Sequence, residues 1–197
     1  MGFFKDKTGS KLFDALESRN ERLVEELISK GADVNIPDEE GETPLIKASR
    51  FSKILSALFL DNGADIDAVD KDGWCALMWA SEARNDEIVL FLLDRKAEIN
   101  NPNNDGWTPL IEAVISGNYD MAALFINRGA DIEHTDCDGK TALLHAVENR
   151  NIEIARLLLK KGALAGIKDA DGRTPASIAM DNNDPRMAEI LKNPGVF

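Results

Sequence analysis

The chain has 197 residues, of which 44% are hydrophobic, and its formal net charge is −12. That length allows one sizeable core or a quasi-linear array of small units. The negative charge argues against nucleic acid as a partner, because phosphate binding needs clustered Lys and Arg. No apolar run reaches the roughly 18 residues of a membrane span, so we expect no membrane partner.

The N-terminal stretch "MGFFKDKTGS" is too short and too polar for a signal peptide. Asp6 stands where the myristoylation pattern needs Ser or Thr, so we expect a loose segment that covers the first structural unit. Cys75 and Cys137 are the only cysteines, and their spacing matches no zinc or redox motif. We therefore expect a reducing, cytoplasmic setting and no cofactor.

The sequence repeats itself with a period of 33 residues. The phrase "DGWTPL" and its variants place five glycines at intervals of 32, 33, 33 and 33 residues, namely Gly41, Gly73, Gly106, Gly139 and Gly172. A second phrase, of the type "GADVN", recurs between them from Gly31, Gly63, Lys96, Gly129 and Gly162. Two phrases that keep one period indicate a repeat architecture.

Each period predicts a turn, a short helix, a second turn and a second helix. In the fourth period Thr108 can cap the first helix, Pro109 can take its first position, and the helix should reach about Ser116. Asn118 can cap the second helix, and Gly129 can end it in a left-handed conformation. The second caps recur at the period, as Asn85, Asn118, Asn151 and Asp184.

In chain order, the predicted repeats are residues 1–33, 34–65, 66–98, 99–131, 132–164 and 165–197, and together they form one domain. The first lacks the glycine turn. The second is one residue short near "SRFSK", which predicts a tighter turn between its helices. The third has Cys75 at the cap position. The sixth should be the least stable, because a terminal repeat has one neighbour.

This pattern resembles the ankyrin repeat, in which a β-turn finger precedes two antiparallel helices and T-P-L-H-x-A opens the first helix. The motif positions in this chain are Thr43-Pro-Leu45, Thr108-Pro-Leu110, Thr141-Ala-Leu143 and Thr174-Pro175. The small helix-contact residues match at Ala48, Ala80, Ala113, Ala146 and Ala179. The resemblance covers nearly the whole chain and implies an all-α ankyrin-repeat solenoid of six stacked helix-turn-helix repeats with β-turn fingers.

The chain departs from the family at the histidine of that motif. The residues at this position are Ile46, Met78, Ile111, Leu144 and Ser177. We therefore expect the hydrogen bonding that steadies the family's turn to be absent, with apolar packing in its place.

The segment "NPNNDGWTPLIE" looks like a calcium loop, with Asn103, Asp105, Gly106 and Glu112 at the positions of an EF-hand. The other repeats lack a carboxylate at the twelfth position, and Pro109 falls inside the loop. Asx-x-x-Gly also has a structural cause, because Asx side chains bond nearby backbone in turns and Gly accepts positive φ. We expect a turn and no metal site.

Catalysis is not indicated, and we predict no enzyme activity. His145 lies one helical turn from Glu148, and Glu112 occupies the position of His145 one repeat earlier. No nucleophile, metal or cofactor motif accompanies these residues. We interpret His145 as an exposed polar groove position. Cys137 should be exposed at a finger tip between two aspartates, which disfavours a thiolate, and Cys75 should be half-buried.

The resemblance implies that partners bind a concave surface of fingers and first helices, and all three tryptophans fall there by register. Trp74 and Trp107 follow finger glycines in adjacent repeats, about 10 Å apart on helix-packing distances. Glu42, Lys140 and Arg173 at the equivalent position predict an acidic, then aromatic, then basic surface. The predicted partner-binding residues are Trp74, Trp79, Trp107, Lys71, Asp72, Glu82, Asp105, Glu112, Ile115, Lys140, His145 and Glu148.

We predict a protein-interaction module that acts as a monomer and binds a basic or mixed-charge protein with an apolar anchor. The tryptophans can equally serve to stiffen the array by packing against neighbouring fingers. Two other functions stay open. One is a regulatory or inhibitory ankyrin subunit of an enzyme or channel, and the other is a small-molecule or metal binder.

Overall fold

The structure is a computed structural model that describes residues 7–192, with side chains from Gly9 onward. The terminal stretches, residues 1–6 and 193–197, lie outside the described residues, and with them the expected N-terminal covering segment. The described part contains twelve α-helices and no named strand. They are α1 Lys7–Glu17, α2 Glu21–Ser29, α3 Pro44–Ser49, α4 Lys53–Asp61, α5 Ala76–Glu82, α6 Asp86–Asp94, α7 Pro109–Ile115, α8 Tyr119–Asn127, α9 Ala142–Glu148, α10 Ile152–Lys160, α11 Pro175–Asp181 and α12 Pro185–Lys192.

The helices fall into two compact units, Met1–Asn101 and Pro102–Phe197. In the first unit α1, α3 and α5 pack side by side, and each is covered by the second helix of its own repeat. In the second unit α7, α9 and α11 pack in the same way, with α8, α10 and α12 against them. The prediction of six successive helix pairs is confirmed.

The helix starts follow the predicted caps. The hydroxyl groups of Thr43, Thr108, Thr141 and Thr174 accept a hydrogen bond from the third residue of each first helix. Cys75 forms no side-chain cap, and α5 begins at the next residue all the same. The second helices are capped by Asn20, Ser52, Asn85, Asn118, Asn151 and Asp184. Each cap satisfies a backbone donor that the helix leaves open.

The shortened second repeat loses its residue from the first helix. Helix α3 has six residues, whereas α5, α7, α9 and α11 have seven. The C-terminal cap of α3, Arg50, is followed by Phe51 and then by Ser52, the N-terminal cap of α4. No glycine lies in this turn. The fold therefore absorbs the deletion within the first helix and the turn after it, where the sequence predicted a tightening.

The core of each unit is built from the leucine and alanine of the repeated motif. Leu45 and Leu77 are 1% exposed in the first unit, and Leu110 and Leu143 are equally buried in the second. The matching alanines are buried to 1% exposure or less at Ala48, Ala80, Ala113, Ala146 and Ala179. Small residues at this position allow first helices to pack closely, while the leucines supply most of the apolar area.

Candidate interaction surface

Each finger is a turn held by one Asx side chain. In the third repeat Oδ1 of Asp70 accepts hydrogen bonds from the backbone N–H groups of Asp72 and Trp74, at 3.0 and 2.9 Å. The same two bonds recur at the equivalent residues, which are Asp38, Asn103, Asp136 and Asp169. This local bonding is what Asx residues provide in turns.

A second contact ties the finger to the first helix, nine residues further along the chain. Nζ of Lys47 lies 2.9 Å from Oδ2 of Asp38, and Trp79 Nε1–H donates to Oδ2 of Asp70 at 2.8 Å. Nε2 of His145 lies 2.7 Å from Oδ2 of Asp136. The expectation that turn-steadying hydrogen bonds are missing is therefore wrong for these three repeats, because the residue after the motif histidine position supplies them.

Adjacent fingers within a unit are also bonded to each other. The backbone N–H of Lys71 donates to the carbonyl of Glu40 at 3.1 Å, and the N–H of Cys137 donates to the carbonyl of Asp105 at 2.9 Å. Gly106 has a φ of +81°, and a Cβ there would lie 2.8 Å from the nitrogen of Cys137. Glycine is required at this position both by the backbone conformation and by the neighbouring finger.

The first unit carries a fixed aromatic pair. The ring centroids of Trp74 and Trp79 are 4.8 Å apart, with the ring planes tilted by 42°. The guanidinium carbon of Arg50 lies 3.8 Å from the centre of the Trp79 ring, and Arg50 in turn pairs with Glu42. Both indoles are half-buried. Trp79 is thus fixed by a hydrogen bond on one side and a stacked cation on the other.

Glu42 joins this pair to a small ionic cluster. Its carboxylate contacts Arg50 and also Nζ of Lys47, the latter at 2.8 Å. Burial alone would raise the pKa of Glu42, but the hydrogen bonds from Arg50 and Lys47 outweigh it and lower that pKa. Burial would lower the pKa of Lys47, and its bonds to Asp38 and Glu42 raise it instead. Both groups are therefore charged at neutral pH, and their charges are locally neutralised.

The second unit places its tryptophan beside the buried His145. The ring centroids of Trp107 and His145 are 6.3 Å apart, in an edge-on arrangement of 78°. His145 is 7% exposed, and Glu112 is 5% exposed. The expectation that His145 is an exposed polar groove position is wrong, because helical spacing alone does not show how closely the finger covers this position. For His145 the covering contact is the bond to Asp136.

The basic residues of the second unit are also paired. Nζ of Lys140 lies 2.9 Å from Oε2 of Glu148, and Nη2 of Arg173 lies 2.7 Å from Oδ2 of Asp169. Arg173 also reaches Oε1 of Glu148 at 3.3 Å. Burial would lower the pKa of Lys140, but its bond to Glu148 raises it. Lys140 and Arg173 are therefore partly neutralised by carboxylates of their own unit, as Glu42 is by its cations, and they offer a partner less net charge than their number suggests.

The remaining predicted contact residues lie on the accessible surface. Lys71, Asp72, Glu82 and Asp105 are exposed, and Ile115 is half-buried. Trp74 and Trp79 belong to the first unit and Trp107 to the second. The single surface formed by all three tryptophans, and the separation of Trp74 from Trp107, stay predictions.

The calcium-like segment and the cysteines have structural explanations. Oδ1 of Asn103, at the third loop position, accepts two backbone N–H groups of its own turn, and Thr108 begins α7 inside the putative loop. Cys137 is exposed as predicted. Cys75 is 1% exposed, so the expected half-buried position is wrong, and burial raises the pKa of its thiol.

The part of the chain that the structure describes, residues 7–192, lacks two features. In this range no three or more His, Cys, Asp or Glu side chains are grouped so that they could hold a metal ion. Across the same residues, every helix is too short or too polar to cross a membrane.

Comparison with known proteins supports the repeat assignment. A family model described as ankyrin repeats (three copies) matches residues 12–103, 58–136 and 123–196. The structure is similar to the crystal structure of the ankyrin repeat domain of Bcl-3, a member of the IkappaB protein family. The TM-score is 0.84 at 28% sequence identity, covering 92% of this chain and 81% of that domain.

Curated relatives match shorter stretches. The chain is 36% identical over 92 residues to the mouse protein "Ankyrin repeat and SAM domain-containing protein 6", which is 45% of this chain and 10% of the relative. It is 33% identical over 84 residues to the rice potassium channel AKT1, covering 42% and 9%. It is 38% identical over 63 residues to vaccinia virus ankyrin repeat protein 14, covering 31% and 27%. The family model matches nearly the whole chain with the observed fold, and the chain therefore belongs to the ankyrin repeat family.

Proposed function

We propose that the chain is a protein-interaction module that binds its partner through the finger and first-helix surface. Ankyrin repeats are in general modules for protein–protein interaction, and no catalytic step is part of this proposal. The observation that carries it is the fixed tryptophan pair of the first unit. Trp79 is held by Asp70 and Arg50, and Trp74 lies against it at 4.8 Å.

A preformed aromatic pair suits binding because it is already ordered before the partner arrives. Interface residues lose conformational entropy on binding, and side chains held by their own neighbours lose less of it. Tryptophan is also the residue type that most often dominates interface energies. Trp74 is half-buried and makes no side-chain hydrogen bond among the described residues. We infer that Trp74 is the contact anchor and Trp79 its support.

The partner proposed for this surface is basic or mixed in charge and carries an apolar anchor. Asp72 and Glu82 are exposed on the same finger and first helix as the tryptophan pair. Arg50, which stacks on Trp79, is already paired with Glu42, as is Lys47, whereas Lys71 beside Asp72 is exposed. Exposed carboxylates around an apolar centre attract a cationic rim on the partner and speed association.

The test is photo-crosslinking with the full chain in lysate of its source, with a crosslinking amino acid placed at Asp72. A matched chain carries it at Glu87, which is exposed on the second helix of the same repeat. We expect a protein that crosslinks from position 72 and not from 87, and whose capture falls at least tenfold with Trp74→Ala. Equal crosslinking from both positions would refute this surface.

A second candidate function is regulation of an enzyme or channel by the repeat array. The match to a stretch of the potassium channel AKT1 favours it, although this chain spans only 9% of that protein. The same crosslinking experiment distinguishes the two. If the captured protein is a channel or enzyme whose activity changes when purified chain is added, the regulatory function is supported.

A further inference from the structure

An apolar groove with a basic rim opens on the second-helix side of the second unit. Its volume is about 330 Å³. Tyr119 of α8 contributes a ring that is 45% exposed, while the other apolar lining residues, Leu157 and Leu159 of α10 and Ile190 of α12, show only 9%, 7% and 1% of their surface. The charged residues that line it are Glu153, Arg156, Lys160 and Lys161. Three cations thus surround one apolar groove on a chain with a net charge of −12.

The repeat does not require a cation at positions 156 and 160, whereas the residues equivalent to Lys161 are Lys30, Asn62, Arg95 and Arg128, so a cation there is common to the repeats. Counting back from the glycine after each second helix, the residues equivalent to Arg156 are Glu25, Ala57, Leu90 and Ala123. Those equivalent to Lys160 are Ser29, Asp61, Asp94 and Asn127. A cation at the end of α10 is favourable for the helix dipole, which accounts for Lys160 and Lys161. It does not account for Arg156, which stands in the middle of the helix.

A groove of the first unit has the opposite charge. It has a volume of about 590 Å³ and lies beside α2 and α4, with Ile54, Leu55 and Leu58 as apolar lining. Its charged residues are Glu21, Arg22, Glu25 and Asp61. Two grooves on the same type of helix surface therefore differ in the sign of their charge, and only the one beside α10 is basic.

We propose that the groove beside α10 binds an acidic, amphipathic segment of a partner protein. An apolar side chain of that segment lies between Tyr119 and the leucines, and its carboxylates pair with Lys160 and Lys161. Nζ of Lys161 is held 2.7 Å from Oδ1 of Asn127, which fixes one ammonium group at the rim. An exposed tyrosine is a frequent interface anchor. A recessed groove suits a single inserted side chain better than a flat bilayer surface.

This site is independent of the finger surface, since it uses the second helices and a partner of the opposite charge. The test is a selection from a display library of random 16-residue peptides against the full chain. Binding of the selected peptides is then measured by fluorescence anisotropy for four proteins. They are the native chain, Tyr119→Ala, the double variant Lys160→Glu/Lys161→Glu, and the matched control Glu25→Lys from the acidic groove.

We expect a class of peptides rich in Asp and Glu with an aromatic or leucine residue. Their affinity should fall about tenfold in the double variant and in Tyr119→Ala, remain unchanged in Glu25→Lys, and weaken with salt. Recovery of no such class, or equal affinity in all four proteins, overturns the proposal. Sedimentation with phosphatidylserine vesicles that is lost in the double variant, without selection of acidic peptides, also overturns it and assigns the patch to a membrane surface.

Discussion

The indole of Trp79 donates a hydrogen bond to Asp70, whereas the indole of the neighbouring Trp74 does not. Substitution by phenylalanine should therefore lower the free energy of unfolding more at position 79 than at position 74. Trp79→Phe removes an N–H donor that lies 2.8 Å from a carboxylate oxygen of Asp70, a residue that is itself 9% exposed. A hydrogen bond to a charged group contributes about 1.5–3 kcal/mol to the free energy of unfolding. The smaller ring also weakens the stack with Arg50, by about 0.5 kcal/mol. We expect a total loss of about 2–3.5 kcal/mol.

Trp74→Phe is the matched control. Its ring lies 4.8 Å from that of Trp79 and is also half-buried, but its indole N–H donates no hydrogen bond among the described residues. Only apolar area is lost, which corresponds to about 0.5–1 kcal/mol. Its backbone N–H still donates to Asp70 after the substitution. The two variants should therefore differ by about 2 kcal/mol in urea unfolding followed by circular dichroism.

A double-mutant cycle with Asp70→Asn isolates the bond. Asparagine has one side-chain oxygen, which the N–H groups of Asp72 and Trp74 already use, so it cannot also accept from Trp79. We expect a coupling free energy of about 1.5–2 kcal/mol between positions 70 and 79. If the coupling is below about 0.3 kcal/mol, or if both Phe variants lose the same stability, the finger is not held by this contact.

Four further predictions follow from the contacts described above. Gly106→Ala should lose about 3 kcal/mol of stability in urea unfolding, against about 1 kcal/mol for Gly129→Ala, because both have positive φ but only Gly106 meets a neighbouring finger. In a thiol titration of the native chain only Cys137 should react, and Cys75 should react after unfolding, since it is buried. The lowered pKa of Glu42 stabilises the fold above the unfolded-state pKa, so this contribution should be lost as the pH falls below about 4.5 and through the lowered pKa, and Glu42→Gln should flatten that part of the stability profile. Asn103→Asp should lower the free energy of unfolding by about 1 kcal/mol, because it places a carboxylate at the position whose helix partner by register is Glu112. The additional substitution Glu112→His should recover that stability.

The helix pairs and their caps could be predicted from the sequence because their causes are local. A Thr or Asn before an apolar run, a following Pro and a closing Gly lie within a few residues of one another, and they recur at the period. Even the deletion in the second repeat could be placed, since the interval between Ala48 and Gly63 is one residue short. These signals depend on the backbone, which all six repeats share.

The burial of His145 and Glu112 could not be predicted from helical spacing. The residue that covers His145 is Asp136, nine positions earlier in a different element, and spacing within α9 carries no information about it. A comparison between repeats would have shown the pattern. The donors Lys47, Trp79 and His145 each follow an aspartate by nine residues, whereas Glu112 follows Asn103, so that in the fourth repeat the carboxylate stands on the helix and the amide on the finger. In each of these four repeats, the residue types at the two positions can pair as hydrogen-bond donor and acceptor.

The paired charges have a similar signature eight residues apart. Glu42 pairs with Arg50 in the second repeat, and Lys140 pairs with Glu148 at the same register in the fifth, with the signs exchanged. In the fourth repeat the two positions hold Trp107 and Ile115, both apolar. Counting each charged residue of the predicted groove separately therefore overstates the electrostatic field at a partner, because these charges are already paired within the chain.

These pairings explain how one surface can serve both the fold and recognition. In three repeats the Asx residue of the finger meets a complementary group from the first helix, and this group is a lysine, a tryptophan or a histidine. The identity of that group is then free to vary between repeats and to shape the surface beside it. Trp79 does both, which is why its replacement by alanine would confuse loss of binding with loss of the finger. Trp74 lacks the structural bond, so a loss of partner capture in a Trp74→Ala chain that urea unfolding shows to be still folded would report on recognition.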